Sequence, residues 1–347
     1  MLPPLRDKLV SACTASLISA AGRAGVNATT ASWSAADSKV INSATYRIYV
    51  GTNWALQQEH YFNLWSEMAA LDLPSAFSGP EQFASFMTET PAYRRLLKES
   101  GENSKGRPNL YQLVGISYGS AVHVTTSDQP LRRPEDLATR MVFQINPSLF
   151  SIAEQTLVQH ALGAKSEQPL TSSSKMMGQR EKNANNSCID DVGLLKQDGF
   201  NPINRVLSTP NRFFILMPTT LVRDAVPKPF RRFISLTSTE IVQVWFLLVG
   251  GDSLTSEQVA RIEKIADDAA LDCSGRNFNL EKSQLAALQA DGSSVTQLNV
   301  SRFYQSSLDK QKGFLDQVRG DPVFTKDIPD LESTIAAFKA LGSDLHR

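Results

Sequence analysis

TTSDQPLRRPEDL, Thr125 to Leu137, decides how this chain is read. Pro130 and Pro134 each lack a backbone donor and fix φ, so neither suits a central strand or a helix interior. The stretch reads as the end of a strand, a polar turn, a second proline-bounded turn and a helix-capping segment. Apolar runs flank it, Leu110 to Val124 before and Met141 to Ile145 after. So stiff a connection between two β-like runs suits a chain crossing from one α/β domain into another.

Working outward, Tyr46–Gly51 (YRIYVG) predicts a strand and Thr52-Asn53-Trp54 a loop. His60–Ala70 has helical spacing, and Glu81–Leu97 predicts one helix with Phe83, Phe86 and Met87 on a shared face. Gly101–Pro108 reads as a breaker-rich loop and Leu110–Gly115 as an apolar strand. Beyond the central stretch, Met141–Ile145 predicts a short strand and Pro147–Leu162 a helix. Phe213–Met217 (FFILM) and Val242–Val249 (VQVWFLLV) read as buried strands. Thr255 caps a helix, with Gln258 placed for a capping box, and Val259, Ile262, Ala266 and Ala269 form its apolar face. A second helical run, Leu280–Leu288, stops at Asp291-Gly292. Strands alternating with helices predict α/β architecture with substantial parallel pairing.

The 347 residues suffice for two domains, and 41% hydrophobic with 20% charged residues is an ordinary globular balance. Thirty-five basic residues against 35 acidic ones leave no net charge, which argues against nucleic acid as a partner. The KPFRR cluster, Lys228–Arg232, is therefore expected to be a solvated face. Cys13, Cys188 and Cys273 are far apart and odd in number, predicting neither a disulfide framework nor a metal site. The four histidines are isolated, and His123 and His160 sit among apolar neighbours, as hydrogen-bonded structural histidines do. Asp190 and Asp191 are adjacent and point apart on a strand, with no third ligand nearby. The N-terminal segment is a poor signal peptide, because Ser and Thr interrupt its apolar part, although Val10-Ser11-Ala12-Cys13 resembles a lipoprotein cleavage box.

Gly115-Ile116-Ser117-Tyr118-Gly119 matches G-x-S-x-G, the nucleophile elbow of an α/β-hydrolase. Asp252 would serve as the acid, but the histidine that must follow could only be His346, next to last in the chain. The segment after Gly119 is β-branched, a poor helix. A glycine-flanked turn before a hinge strand is the structural alternative, and the esterase-like hydrolase using Ser117 is the rival function.

The central stretch resembles the T-T-S-x-x-P-(I/L)-R-x-P-E-D-L signature of solute-binding proteins of tripartite ATP-independent periplasmic (TRAP) transporters. Other landmarks fall in the family's order: Leu71–Phe77 (LDLPSAF), Leu162–Ala164 (LGA), Cys188–Asp191 (CIDD), LTSEQVARIEKIADDAA from Leu254, and Leu288–Phe303. The resemblance covers roughly residues 68 to 305. The family's hinge strand can be laid on Val206–Met217 or on Phe233–Val249.

This resemblance implies a two-domain, periplasmic-binding-protein-like α/β clam-shell joined by hinge strands and a long C-terminal helix. Residues 1–124 would begin domain I and 125–206 form domain II. Residues 207–253 would return through the hinge, and helices in 254–347 would pack across both domains. Such a protein binds a small organic acid in its cleft, in the periplasm, hands it to a membrane permease, and needs no cofactor, metal or catalysis. The family's substrate-pairing arginine aligns with Phe143, and a second arginine aligns near Val122; this chain has neither. Arg140, Gln144, Asn146 and Arg212 are the nearest polar replacements. The expected pocket is Asn53 and Trp54 from one lobe and Arg140, Phe143, Gln144 and Asn146 from the other. Asn211, Arg212 and Phe213, or its neighbour Phe214, come from the hinge strand. A binding-protein fold that no longer takes solute is a third expectation.

Overall fold

The structure is a computed structural model, and it describes residues 4–30, 47–52, 71, 77, 79–104, 112–127, 129–132, 136, 141–144, 213–226, 228–249 and 254–298. The elements are α1 (Pro4–Arg23), β1 (Arg47–Thr52), α2 (Pro80–Glu89), α3 (Pro91–Ser104), β2 (Gln112–Thr126), β3 (Met141–Gln144), β4 (Phe213–Pro218), α4 (Thr219–Ala225), β5 (Phe233–Val249), α5 (Ser256–Ala290) and β6 (Ser294–Gln297). Predicted segments at 53–70, 145–212 and beyond 298 lie outside the described residues.

Two strands dominate. β2 has 15 residues and β5 has 17, and they run antiparallel beside each other. β2 is buried along its whole length and β5 is buried over Ile241–Leu248, because helices cover both faces of the sheet. Val244, Phe246 and Leu248 face α1 and α5 in one cluster, with Val114, Ile262, Ala266 and Ala269. Trp245 and Leu247 face the other way, against Phe83, Phe86, Tyr93 and Leu97 of α2 and α3. The one-residue alternation is the strand period of two. Burial on both faces produces the continuous apolar run that parallel strands also show, so the expectation of substantial parallel pairing needs correction. β1–β5, β2–β4 and β2–β5 are antiparallel; β3–β4 and β5–β6 are parallel.

The strand order is β1-β5-β2-β4-β3, with β6 also on β5. The neighbours divide along the two long strands. β1 pairs only with residues 244–249 of β5, and β6 only with 233–236. β4 joins β2 only at Val122–Thr125. One continuous sheet thus has two sections, and β2 and β5 pass from one to the other. The later placement of the expected hinge strand is the long strand β5; of the earlier one, Phe213–Met217 lies in β4, and 206–212 lie outside the described residues.

Three local expectations change. The predicted helix 81–97 is two helices, because Thr90 before Pro91 is extended at φ −95°, ψ 136°; the second runs to Ser104, into the expected loop. The two helical runs after Thr255 are one helix of 35 residues, opened by the expected Thr255–Gln258 capping box. The cysteines do pair: Cys13 of α1 and Cys273 of α5 form a disulfide, with Cα atoms 4.8 Å apart and 260 residues between them. Sequence distance conceals this pairing because each cysteine lies on the apolar face of its own helix, and those faces meet. Cys13 is therefore a buried disulfide partner within a helix, not a lipid-attachment residue.

In the central stretch Pro130 lies outside any helix or strand, and Pro134 lies outside the described residues. β2 ends at Thr126, whose hydroxyl bonds the Gln129 carbonyl. Leu131 is buried and its amide donates to Ser235 Oγ at 2.9 Å, while the Arg132 amide donates to Asp136 at 3.0 Å. The expected solvated KPFRR cluster is only partly so. Phe230 is buried, and Arg231 reaches Asp291 at the end of α5 at 3.6 Å.

Candidate functional site: a buried polar seam between the long strands and the long helix

Most of α5 meets the sheet through small and apolar residues. Toward its C-terminal half the same face changes: Ser274, Asn277 and Glu281 are all buried. Their spacing of three and four continues the stripe that Ile262, Ala266 and Ala270 begin, so polar groups are driven into the sheet. Each finds partners on β2. Ser274 Oγ lies 3.0 Å from the Tyr118 amide and 3.1 Å from Ser117 Oγ. Asn277 Nδ2 donates to the Tyr118 carbonyl at 2.8 Å.

Glu281 is the hub. Its carboxylate accepts from the Tyr118 hydroxyl and from the Ala121 amide at 3.3 Å. Thr219 Oγ1, at the start of α4, lies 2.7 Å from it, and His123 Nε2 lies 3.4 Å from it. Burial opposes ionisation of Glu281. The hydrogen bonds from His123, Tyr118 and Thr219 oppose this and hold the carboxyl below its ordinary value. The same surroundings push the Tyr118 phenol up: burial first, then the neighbouring Glu281 charge. The Tyr118 ring stacks on Phe278 with centroids 4.2 Å apart.

His123 turns its other nitrogen toward β5. The Thr237 amide donates to Nδ1 at 3.1 Å, and Thr237 Oγ1 donates to the Val122 carbonyl at 3.4 Å. His123 is thus a hydrogen-bonded, buried histidine, as its apolar neighbours in sequence imply.

Ser117 does not sit on an elbow. Gly115–Gly119 lies inside β2, where the register with β5 shifts between Leu113 and Gly115 and again between Tyr118 and Ser120. The glycines serve close packing instead of a turn: a Cβ on Gly119 would come 2.6 Å from the Val242 carbonyl oxygen. Ser117 is fully buried and its hydroxyl donates to the Tyr118 carbonyl at 3.3 Å. A strand-to-helix elbow presenting an accessible serine is what the hydrolase requires, and this geometry contradicts it. Among the described residues no group of three or more His, Cys, Asp or Glu side chains is arranged to hold a metal ion.

Of the expected pocket residues, Phe143 and Gln144 lie in β3 and Phe213 in β4. The two strands pair in parallel, with Phe143 opposite Ile215 and Met141 opposite Phe213. The backbone therefore brings these two candidate segments side by side. Asn53, Trp54, Arg140, Asn146, Asn211 and Arg212 lie outside the described residues. Glu281, Thr219 and Tyr118 escaped sequence reasoning. The signal for Glu281 was available: a lone acid at helical spacing from an apolar stripe.

No family model and no curated protein matches this sequence. Solved structures do match its fold over nearly all of both chains. The ectoine-binding protein TeaA of the TeaABC TRAP transporter, in its apo state, gives a TM-score of 0.60 at 12% identity, covering 95% of each chain. An apo, open TRAP periplasmic solute-binding protein from Escherichia fergusonii gives 0.59 at 12% identity, covering 97% of this chain and 95% of that one. One from Ralstonia eutropha H16, with bound (S)-2-acetolactate, gives 0.56 at 14% identity, covering 96% of each. The fold is that of the periplasmic solute-binding proteins of TRAP transporters.

Proposed function

We propose that this protein is a TRAP-type solute-binding protein that captures a small organic acid between two lobes and passes it to a membrane permease. The observation that carries this reading is the end-to-end likeness of fold to such proteins, 95% or more of both chains in the three comparisons above. In this reading 1–124 begins domain I, 125–206 forms domain II, 207–253 returns through the hinge to domain I, and the later helices pack across both. The Cys13–Cys273 disulfide supports an oxidising compartment, as a periplasmic location requires.

The solute would lie between Asn53-Trp54 and the segment Arg140–Asn146, with Asn211, Arg212 and Phe213 lining the hinge side. Relatives of this fold hold acetolactate and D-glucuronate, both carboxylates. A buried carboxylate needs a cation or several donors to offset its lost hydration. A guanidinium supplies two parallel donors, and Arg140, just before β3, is the residue we assign to that role. The reading predicts no catalysis.

Calorimetric titration with a panel of small carboxylates tests it. Binding by the parent, weakened by more than about 2 kcal/mol in Arg140→Ala, is the expected result for a desolvated ion pair. Unchanged binding in the variant sinks the role of Arg140. Absence of binding across the panel, with neutral solutes included as a further arm, sinks the organic-acid reading.

A further inference from the structure

The register of β2 and β5 breaks most sharply at His123. Val122 pairs with Glu240 and Val124 with Ser235, so four residues of β5, 236–239, stand opposite one residue of β2. A bulge of this size interrupts the ladder and lets the strand bend. It falls where the sheet changes partners. On one side β5 is flanked by β6 and β2 by β4; on the other, forward along β5 and back along β2, β5 is flanked by β1 from Val244. The bulge leaves the Thr237 amide without a ladder carbonyl, and the His123 ring supplies the acceptor in its place.

That contact fixes the ring chemically. Nδ1 accepts an N–H, so it carries no proton, and the ring proton sits on Nε2, directed at Glu281. Glu281 belongs to α5, which packs along β2 and holds α1 by the disulfide. The chain Thr237–His123–Glu281 therefore ties the bulge to the long helix. Tyr118 and Thr219 complete the carboxylate's shell from β2 and α4.

We propose that the 236–239 bulge is the hinge about which the two sections of the sheet turn, and that His123 is the positioning residue that sets it. This rests on the solute-binding reading, since a hinge has a use only in a protein that closes. The test needs no solute, so it fails or succeeds independently of that reading.

Asparagine places its Oδ1 near the position of Nδ1 and retains an acceptor for Thr237; glutamine places its Nε2 near the ring Nε2 and retains only the donor to Glu281. Amide exchange is measured for Thr237 in the parent, His123→Asn and His123→Gln. Exchange at Thr237 should accelerate at least about tenfold in the glutamine variant and stay within about threefold of the parent in the asparagine variant. Equal rates in all three overturn the latch. Long-range proton–nitrogen spectra of the parent should show His123, assigned by its loss in either variant, with its proton on Nε2; a proton on Nδ1 overturns the assignment. For the hinge, spin labels at Glu89→Cys and Asp224→Cys, exposed positions in the two sections, are placed in a Cys188→Ser background. The distance distribution should broaden in His123→Gln and not in His123→Asn. A distribution unchanged in His123→Gln, with Thr237 exchange accelerated, removes the hinge and leaves the latch.

Discussion

Glu281 shows how much one side chain can carry. A lone carboxylate in a sheet–helix contact is costly unless its lone pairs are satisfied. Here it accepts from Tyr118, Thr219 and the Ala121 amide and faces His123. Its folded pKa is lowered relative to the ordinary glutamate value of 4.5. Its contribution to stability is therefore fully present above that value and lost as pH falls through the folded one. Melting curves between pH 6 and 3 should fall more steeply for the parent than for Glu281→Gln; equal slopes would remove the ionised hub. Glu281→Ala, which removes the acceptor that Tyr118, the Ala121 amide and His123 share, should cost several times more than Glu281→Gln at neutral pH, on the order of 3–5 kcal/mol in denaturant titration. Gly119 is the steric counterpart. Alanine there meets the Val242 oxygen at 2.6 Å, a contact with backbone on a paired strand that has little room to yield. Gly119→Ala should destabilise by about 1–3 kcal/mol with the denaturant m-value unchanged.

The elements divide into those whose cause is local and those whose cause is distant. The α5 start was legible because Thr255 and Gln258 are three apart in sequence and satisfy each other's backbone donors. Its end was legible at Asp291-Gly292, where Gly292 adopts φ 93°. The apolar cores of β1, β4 and β5 were legible from their composition. The antiparallel pairing was not, because burial on both faces erases the alternation that marks a one-sided sheet. Nor was the passage of β2 through Gly115–Gly119, since a glycine pair that admits a neighbouring strand looks like one that makes a turn. The pocket segments were named by resemblance, and only β3 and β4 among them have a described backbone. The α1–α5 pairing also had no local sign. Cys13→Ser with Cys273→Ser should lower stability by about 2–5 kcal/mol, and reductant should do the same to the parent and nothing further to the double variant. An intact melting temperature in the double variant would mean that apolar packing alone seats α1.

At the scale of the whole molecule, β2, β5 and α5 form a frame that the shorter elements decorate. A solute that joins the two sections binds the folded state alone, so it should raise the melting temperature in a concentration-dependent way. At a free concentration of 100 times Kd, one site adds about 2.7 kcal/mol. A carboxylate that binds by calorimetry yet leaves the melting temperature unmoved would be binding outside the fold. X-ray scattering should report a smaller radius of gyration with that solute present, as closure of a clam-shell demands.

The disulfide also bears on the order in which the molecule is made. Its two cysteines are 260 residues apart. A ribosome adding about 5–20 residues per second needs roughly 10–50 s to travel from the first to the second. Throughout that interval α1 exists without the helix it is bonded to. The apolar face that carries Leu9, Cys13 and Leu17 must be kept from other surfaces until α5 emerges. α1 is thus made well before it can be seated, and its apolar face stays uncovered until α5 follows.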